Sequence, residues 1–304
     1  MTRFGSTLVL ANPTAQLGRG GDAAAQVEAF LHAQEGMCSA LDAVFTEHPG
    51  HAEELAAAAG AYDTLVVIGG DGTVHEAVNG LARLPRPVRP ALALVPVGSG
   101  NDYARTLGMA RSVERACAQL SRATRVNAEL GCCNGRYFAE TLSFGLDAAI
   151  ALDTMERRQR TGATGLSLYA ASCVDQLLHN KVLYDYRMRV EGGLPETGQM
   201  YLFAVQVGPS YGSGFSISPH ARIDDGLLDL CIAHPPLSTP KAAWIFLRAK
   251  GGRHEHFEQI EVRRCTSLSL EFGCDLPVQI DGERISAERY DIHVEPRALD
   301  VYVA

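Results

Sequence analysis

The chain has 304 residues, of which 46% are hydrophobic and 20% charged, and its formal net charge is −8. This composition excludes a disordered or fibrous chain, and the length suggests about two domains of ordinary size. The acidic balance argues against broad binding to nucleic acid, which requires lysine and arginine clustered on one surface.

Cysteine spacing and hydropathy exclude two further classes. The eight cysteines are scattered and form no CxxC pair, which argues against a zinc site and favours free thiols in a cytoplasmic protein. No apolar run approaches the ~18 residues that a membrane-spanning helix requires. Any contact with a membrane is therefore expected to be peripheral.

Residues 1–125 alternate short apolar runs with alanine-rich stretches of helical composition. The apolar runs are rich in branched residues and bounded by Gly, Pro or Asn, as buried strands are. This alternation predicts an α/β domain with a parallel sheet, whose ligands gather at the carboxyl ends of the strands. The predicted strands are 6–11, 40–46, 64–70 and 91–97, and the predicted helices are 21–34, 50–60 and 72–83.

The pattern changes after residue 125, where strand-like stretches joined by turns become frequent. They predict a β-rich antiparallel domain over 126–304, whose last residues could pack on either domain. The predicted strands are 136–144, 182–191, 200–208, 227–233, 259–271 and 276–281, and the predicted helices are 146–158, 164–179 and 239–250.

The strongest motif is VVIGGDGTVHEAVNGL at 66–81, in which a strand leads through three glycines into a helix. The glycines allow a tight turn that presents backbone N–H groups, and the helix N-terminus adds a favourable end for an anion. Asp71 within the loop would repel a phosphate unless a cation lies between them. The motif therefore indicates a nucleotide phosphate with Mg²⁺, the alternative being a tight turn with Asp71 as a helix cap.

Two other glycine-rich loops also follow predicted strands. LVPVGSGNDYARTLG at 94–108 offers Ser99, Asn101 and Asp102 to phosphate, ribose or metal, or as helix caps. ANPTAQLGRGGD at 11–22 loosely fits a dinucleotide fingerprint, which alone is a weak signal. The chain contains no Gly-Lys dipeptide, which excludes a P-loop NTPase.

Together the three loops resemble the diacylglycerol kinase catalytic-domain family, the bacterial lipid kinases related to diacylglycerol and sphingosine kinases. The family has an Asn-Pro-x-[Ser/Ala]-Gly loop, a GGDGT loop followed by Asn-Gly, and a G[Ser/Thr]xND loop, in this order. The last two match closely, whereas Ala15-Gln16 replaces Ser/Ala-Gly in the first.

The resemblance extends through the second half of the chain. SPHARIDDGLLDL at 218–230 is similar to the family's structural Mg²⁺ segment, which implies the Asp225 carboxylate and the carbonyls of Arg222 and Leu227 as ligands. QIDGERI at 279–285 is similar to the family's late acidic motif. From the residues alone, both segments are ordinary turns, the second a type I′ hairpin. Glu129 stands where the family commonly has Asp.

The resemblance implies a kinase that uses ATP and Mg²⁺ to phosphorylate a hydroxyl of a diacylglycerol-like or sphingoid-like lipid, presented at a membrane surface. The acceptor hydroxyl would enter from a cleft between the domains. Asp281, or failing it Glu283, would be the general base, and Asp71 would bind or position the catalytic Mg²⁺; Asp71 and Asp281 could exchange these roles. The implied nucleotide-binding residues are Asn12, Pro13, Thr14, Ala15, Gln16, Thr46, Gly69, Gly70, Asp71, Gly72, Thr73, Val74, His75, Ser99 and Asn101.

Three other functions compete with this interpretation. An NAD kinase would share the GGDGT loop, but it would carry a separate Asn-Glu motif where this chain reads GSGND. An oxidoreductase would need an acidic residue at the end of the second strand, where Thr46 and Glu47 stand. A nucleotide- or lipid-binding regulator would have a decayed site, yet the acidic residues 71, 225 and 281 are all present.

Three remaining features are interpreted conservatively. His254 and His256 lie in an arginine-rich stretch typical of a solvated face. Trp244 and its apolar neighbours are typical of a helix core, or could border a lipid entrance. An exposed sheet edge in the second domain would permit a homodimer.

Overall fold

The computed structural model describes residues 2–163, 165–212 and 214–304. The chain divides into two compact units, the first comprising the residues up to Glu129 together with Pro296–Ala304, and the second comprising Leu130–Glu295. Thr164, the predicted first residue of the helix 164–179, lies outside the described residues.

The first unit contains a parallel sheet in the order β2-β1-β3-β4, with helices between the strands. The two inner strands β3 and β4 are buried along their whole length, as expected for a parallel sheet covered on both faces. Its elements are β1 (Gly5–Ala11), α1 (Ala15–Ala33), β2 (Cys38–Phe45), α2 (His51–Ala57), β3 (Thr64–Gly69), α3 (Asp71–Ala82), β4 (Ala91–Pro96), α4 (Asp102–Thr106) and α5 (Val113–Leu120).

Helix α1 begins at Ala15, six residues before the start that composition predicts. Its first turns are irregular, since Gln16 and Gly18 have φ values of 47° and 94°. A Cβ on Gly20 would collide with the Asn12 carbonyl oxygen. The glycines that suggested a long loop therefore permit a helix to start close against the end of β1.

The second unit is built mainly from antiparallel strands and three helices. Its elements, with two strands that cross the boundary between the units, are β5 (Thr124–Cys133), β6 (Arg136–Phe138), β7 (Thr141–Gly145), α6 (Leu146–Thr161), α7 (Leu166–His179), β8 (Tyr184–Val190), β9 (Glu196–Met200), β10 (Leu202–Gln206), β11 (Leu228–Ala233), α8 (Thr239–Ala249), β12 (Ile260–Cys265), β13 (Ser267–Phe272), β14 (Val278–Ile280), β15 (Glu283–Arg284) and β16 (Arg289–Val303).

One sheet of the second unit has the order β12-β11-β10-β7-β14-β15, and each neighbouring pair is antiparallel. A further antiparallel set joins β16, β13, β8 and β9. The apolar cluster of these strands includes Phe144, whose ring packs edge-on against Phe203 and Tyr290. The predicted fold class, α/β followed by β-rich antiparallel, is confirmed.

Strand β16 extends into the first unit. There Val301 pairs in parallel with Leu92 of β4, and Ala298, Leu299 and Tyr302 are buried. Residues far apart in sequence thus complete the core of the first unit.

Two interpretations of single residues are wrong. Trp244 was expected in a helix core, but it lies on the outward face of α8 while the neighbouring Ile245 is buried. His254 was expected on a solvated face, but it is buried and its Nε2 donates a hydrogen bond to the Ile217 carbonyl at 3.0 Å. Within the described residues, no helix has the length and apolar character to cross a bilayer.

Candidate active site

The strand ends of the first unit bring the glycine-rich loops to one edge of its sheet. The last residues of the strands are paired, Ala11 with Phe45 across β1 and β2, and Gly69 with Pro96 across β3 and β4. Thr46 is held there by its N–H, which donates to the Ala11 carbonyl at 2.9 Å. The predicted meeting of these segments at the carboxyl ends of the strands is therefore present in the fold.

Two of these loops are in backbone contact through glycine. A Cβ added to Gly98 would lie 2.5 Å from the Cα of Gly70, and one added to Gly70 would lie 3.1 Å from the Cα of Gly98. Real Cβ atoms do not approach other atoms at 2.5 Å, so only glycine at position 98 allows this approach. The close packing leaves the backbone of both loops unobstructed by side chains.

Asp71 ties the GGDGT loop to the GSGND loop. Its Oδ2 accepts the N–H of Asn101 at 2.8 Å, and its Oδ1 accepts the N–H of Asp102 at 2.6 Å. Asn101 is in the left-handed region with φ 56°, and its Nδ2 donates to the Gly98 carbonyl at 2.7 Å. Asp71 is thus the first residue of α3 and the acceptor that organises the neighbouring loop.

The first loop joins the same junction. The Nδ2 of Asn12 donates to the Oγ1 of Thr73 at 3.3 Å, and the Nε2 of Gln16 donates to the Gly98 carbonyl at 2.6 Å. Gln16, which departs from the family pattern, therefore links the first loop to the third. Thr14 closes the turn, its N–H and hydroxyl both donating to the Asn12 side-chain oxygen.

Not every predicted nucleotide contact can be made by a side chain. Val74 and His75 are buried in α3, and the Val74 N–H is used in a helical bond to the Gly70 carbonyl at 3.1 Å. Ser99, in contrast, is partly exposed. The groups available to bind a nucleotide at this junction therefore lie in the loops and at the start of α3. The buried side chains of Val74 and His75 pack in the core beneath them.

In the second unit, Asp281 occupies the two-residue turn between β14 and β15. Asp281 and Gly282 have φ values of 46° and 95°, and Ile280 pairs with Glu283 across the turn. Positive φ at both turn residues matches the predicted hairpin geometry. Glu283 itself is exposed at the start of β15.

The Asp281 carboxylate accepts three backbone N–H groups from the segment that leads into β7. Its Oδ2 accepts from Ala139 at 2.8 Å, and its Oδ1 accepts from Glu140 at 3.1 Å and from Thr141 at 2.9 Å. The Asp281 N–H donates back to the Thr141 carbonyl at 2.8 Å. Asp281 is therefore firmly positioned by backbone hydrogen bonds in both directions.

The predicted structural Mg²⁺ segment forms a turn in the second unit. The Leu227 N–H donates to Asp225 Oδ1 at 3.2 Å, and Arg264 lies 3.6 Å from Asp225 Oδ2. Arg264 also binds Asp229 at 2.8 Å. One carboxylate and two carbonyls are oxygen donors of the kind Mg²⁺ takes, so the residues fit the ion in type, with Arg264 as a neighbouring positive charge.

The comparisons with known proteins agree on both units. The diacylglycerol kinase catalytic domain family matches residues 6–133, and the YegS C-terminal NAD kinase beta sandwich-like domain family matches residues 140–303. The chain belongs to the YegS C-terminal NAD kinase beta sandwich-like domain family, whose model covers more than half of it. The match over residues 6–133 confirms the resemblance of the three loops to the diacylglycerol kinase catalytic domain and supports, at a coarse level, a lipid kinase.

The chain is also similar to curated relatives and, in its fold, to solved structures. The diacylglycerol kinases of Staphylococcus carnosus (strain TM300) and Staphylococcus aureus (strain Newman) are each 26% identical over 222 residues, covering 73% of this chain and 70% and 68% of theirs. A diacylglycerol kinase from Bacillus anthracis has a similar fold, with 24% identity, a TM-score of 0.81, and coverage of 100% of this chain and 99% of that chain. An NAD kinase from Archaeoglobus fulgidus in complex with ATP is more distant, with 14% identity, a TM-score of 0.51, and coverage of 98% and 92%.

Sequence reasoning missed two arginines at the junction of the three loops. Arg105 donates to the Gly100 carbonyl at 3.1 Å and pairs with Asp102, and Arg111 donates to the Ser99 carbonyl at 2.9 Å. They bring positive charge to a loop predicted to bind an anion. Their signal in the sequence is two arginines six residues apart directly after the GSGND loop.

A buried carboxylate next to the Asp281 turn was also missed. Glu140 is buried, and a Cβ on Gly208 would collide with its carboxylate. Glu140 lies within the segment whose N–H groups bind Asp281. No local motif marks this residue, because its position depends on pairing between strands far apart in sequence.

Proposed function

We propose that this protein transfers the γ-phosphoryl group of ATP, with Mg²⁺, to a hydroxyl of a lipid acceptor of the diacylglycerol or sphingoid type. The single observation that carries the proposal is the junction of three loops around Asp71, built at the carboxyl ends of parallel strands. Phosphoryl transfer needs positioning and neutralisation of charge on the phosphate oxygens rather than covalent catalysis. Backbone donors of the loops can position the phosphates, and the fixed Asp71 carboxylate can hold the cation that would neutralise their charge.

In this proposal the first unit holds the donor nucleotide. The loops at 12–16 and 69–75, with Thr46, Ser99 and Asn101, would bind the phosphates and the nucleoside. Asp71 would hold the catalytic Mg²⁺, because a carboxylate fixed at the start of α3 beside the GSGND loop is an oxygen ligand of the kind that Mg²⁺ takes. When bound, Mg²⁺ neutralises charge on the phosphate oxygens.

Asp281 is assigned the role of the general base, which takes the proton of the acceptor hydroxyl. The acceptor oxygen forms a bond to the γ-phosphorus as the bond from that phosphorus to the bridging oxygen breaks, which releases ADP. The hydroxyl proton passes to the Asp281 carboxylate, which the backbone N–H groups of residues 139–141 hold in place. Glu283 is the second choice for this base, since it is exposed on the same hairpin.

A second Mg²⁺ is assigned a structural role in the second unit. The Asp225 carboxylate and the carbonyls of Arg222 and Leu227 would hold it. Its effect there is to fix the turn before β11 rather than to take part in the reaction.

The experiment is ATP consumption with Mg²⁺ against diacylglycerol, sphingosine, phosphatidylglycerol and undecaprenol in mixed micelles, with NAD as a further acceptor. Turnover with one lipid, lost in both Asp71→Ala and Asp281→Asn and retained in Asp291→Asn, supports the proposal. Asp291 is a matched control, an exposed carboxylate of the same unit paired with Arg289. Turnover with NAD alone, or ATP-dependent thermal stabilisation without turnover on any acceptor, overturns it in favour of an NAD kinase or a regulator.

A further inference from the structure

Helix α8 has an apolar outward face. Trp244 and Leu247, one turn apart, are 53% and 66% exposed, whereas Ile245 and Ala242 are buried on the opposite side of the helix. Tryptophan is the residue most often found where an apolar environment meets water, because its ring is apolar and its N–H is polar. Trp244 is the only tryptophan of the chain.

Helix α7 continues this apolar surface. Val174 and Leu178, again one turn apart, are 56% and 64% exposed. The two helices contact each other through Tyr169 and Phe246, whose rings are stacked with centroids 6.1 Å apart. The outward side chains of Val174, Leu178, Trp244 and Leu247 are called here the α7–α8 face.

Positive charge surrounds the α7–α8 face although the chain as a whole is acidic. Residues 237–254 contain four cationic side chains and no Asp or Glu. All three lysines of the chain lie on or beside these helices, and the Arg248 guanidinium lies over the Trp244 ring at 5.8 Å. The acid of α7, Asp175, is paired with Arg157 at 2.6 Å. The cations of 237–254 are Lys241, Arg248, Lys250 and Arg253.

We propose that the α7–α8 face docks on an anionic phospholipid bilayer. Apolar side chains that enter the headgroup boundary, flanked by cations that reach the phosphates, are the pattern of interfacial membrane helices. The inference deepens the proposed function and rests on it, since a lipid acceptor must be reached at a membrane surface. An acidic protein is otherwise repelled by an anionic bilayer, so a local cationic surface is needed to dock there.

The charges also favour a bilayer over a second copy of the chain. A two-fold contact through this face would place Lys241, Arg248 and Lys250 of both copies in one interface. Like charges facing each other oppose such a contact. A bilayer containing phosphatidylglycerol presents the opposite charge instead.

The test uses Trp244 as an internal reporter, without ATP or acceptor. Vesicles of phosphatidylcholine alone and of phosphatidylcholine mixed equally with phosphatidylglycerol are added to the full chain. The expected result is a blue shift of tryptophan emission, quenching by brominated acyl chains, and co-sedimentation with the mixed vesicles. An emission spectrum unchanged by mixed vesicles overturns the proposal.

Matched variants separate the apolar and the charged contributions to vesicle binding. Leu247→Ser should weaken partition onto mixed vesicles by about tenfold or more. Lys241→Gln and Lys250→Gln should each weaken it by about fivefold and reduce its salt dependence. Leu194→Ser, at an exposed leucine on the turn between β8 and β9, is the control and should have no effect. An equal loss in Leu194→Ser, or a dimer in solution that Leu247→Ser dissociates, overturns the proposal.

Activity measurements distinguish this inference from the proposed function. In detergent micelles with a short-chain soluble acceptor, Leu247→Ser should retain the wild-type turnover, because no bilayer has to be reached. Absence of wild-type turnover on every lipid, with vesicle binding intact, refutes the kinase proposal alone. Wild-type turnover with no vesicle binding refutes the docking face alone.

Discussion

The two units use a carboxylate in the same way in different surroundings. Asp71 accepts two backbone N–H groups of the GSGND loop, and Asp281 accepts three from residues 139–141. Each carboxylate fixes a segment distant in sequence, so each has a structural role before any ligand is considered. The presence of an acid in a motif is therefore insufficient to identify it as a base or a metal ligand.

The surroundings of the two carboxylates differ in the charged groups that they contain. Asp71 begins a helix where the GGDGT and GSGND loops pack glycine against glycine. Two arginines donate to carbonyls of the GSGND loop. Asp281 lies in a tight hairpin turn beside the buried Glu140. The first arrangement concentrates donors and positive charge, which suits a phosphate. The second concentrates negative charge, which suits a hydroxyl whose proton must be removed.

The largest expected effect follows removal of the Asp71 carboxylate. Asp71→Ala should lower turnover by about 10²-fold or more, because a group that positions charge in the transition state is lost. Asp71→Asn keeps an acceptor for one of the two backbone N–H groups, so it should retain more thermal stability than Asp71→Ala but little more activity. Steady-state ATP consumption and thermal unfolding of both variants measure this. Equal activity of Asp71→Asn and wild type would limit Asp71 to its structural role.

The glycine contact between the loops provides a sharper comparison within one unit. Gly98→Ala places a Cβ 2.5 Å from Gly70 Cα and should weaken ATP binding and destabilise the protein by about 1–3 kcal/mol. Gly21→Ala is the control, since a Cβ there meets no atom within 4 Å and Gly21 lies outside the proposed nucleotide-binding residues. ATP-dependent thermal shifts of the two variants measure the difference. Similar shifts in both would contradict the importance of the close approach.

Removal of the Asp281 carboxylate should reveal its structural contribution. Asp281→Ala leaves three backbone N–H groups without their acceptor and should lower the free energy of unfolding by about 1–3 kcal/mol. Asp281→Asn retains one acceptor oxygen and should be destabilised less. Urea denaturation measures both, and Asp291→Asn again serves as the control. If Asp281→Ala unfolded with the wild-type midpoint, the three hydrogen bonds would contribute nothing net.

The smallest effect is a pH dependence from His254 in the second unit. Burial lowers the pKa of His254 below its usual value, so the unfolded chain binds this proton more readily than the folded chain. Stability from neutral His254 is therefore present above the unfolded pKa of about 6.5 and is lost as the pH falls below it, by at most ~1.4 kcal/mol per pH unit. Urea denaturation at about pH 7.5 and about pH 5.5 should show a smaller change in His254→Gln than in wild type. The exposed His256→Gln should retain the wild-type slope.

The sequence predicted the strands of the first unit and the position of its glycine-rich loops well, because these signals are local. Buried runs ended by glycine marked β3 and β4, and the paired strand ends then brought Asp71 and Asn101 together. The start of α1 was predicted too late because Gly18 and Gly20 resemble a loop in composition. The positive φ of Gly18 and the close approach of Gly20 to the Asn12 carbonyl are properties of the folded chain.

Prediction was poorer where position depends on distant strands. Three amides from 139–141 converge on Asp281, and Glu140 is buried beside Gly208, only after β7 pairs with β10 and β14. Trp244 was assigned to a core because apolar residues surround it in sequence, yet the helical period separates Ile245, which faces inward, from Trp244, which faces outward. The helix around Trp244 was thus predicted correctly, but the side of the helix on which Trp244 lies was not.

The long strand β16 has a consequence for how the protein is made. Its residues Ala298, Leu299, Val301 and Tyr302 are buried in the unit that begins the chain, and Arg86 and Arg89 donate to the carbonyls of Arg297 and Ala298. During synthesis, the amino-terminal sheet therefore emerges with the edge of β4 unpaired until nearly all of the remaining chain has followed. Contacts so distant in sequence are slow to form. A fragment ending near residue 129 would lack this strand, whereas a fusion of 1–129 to 296–304 through a short linker would supply it.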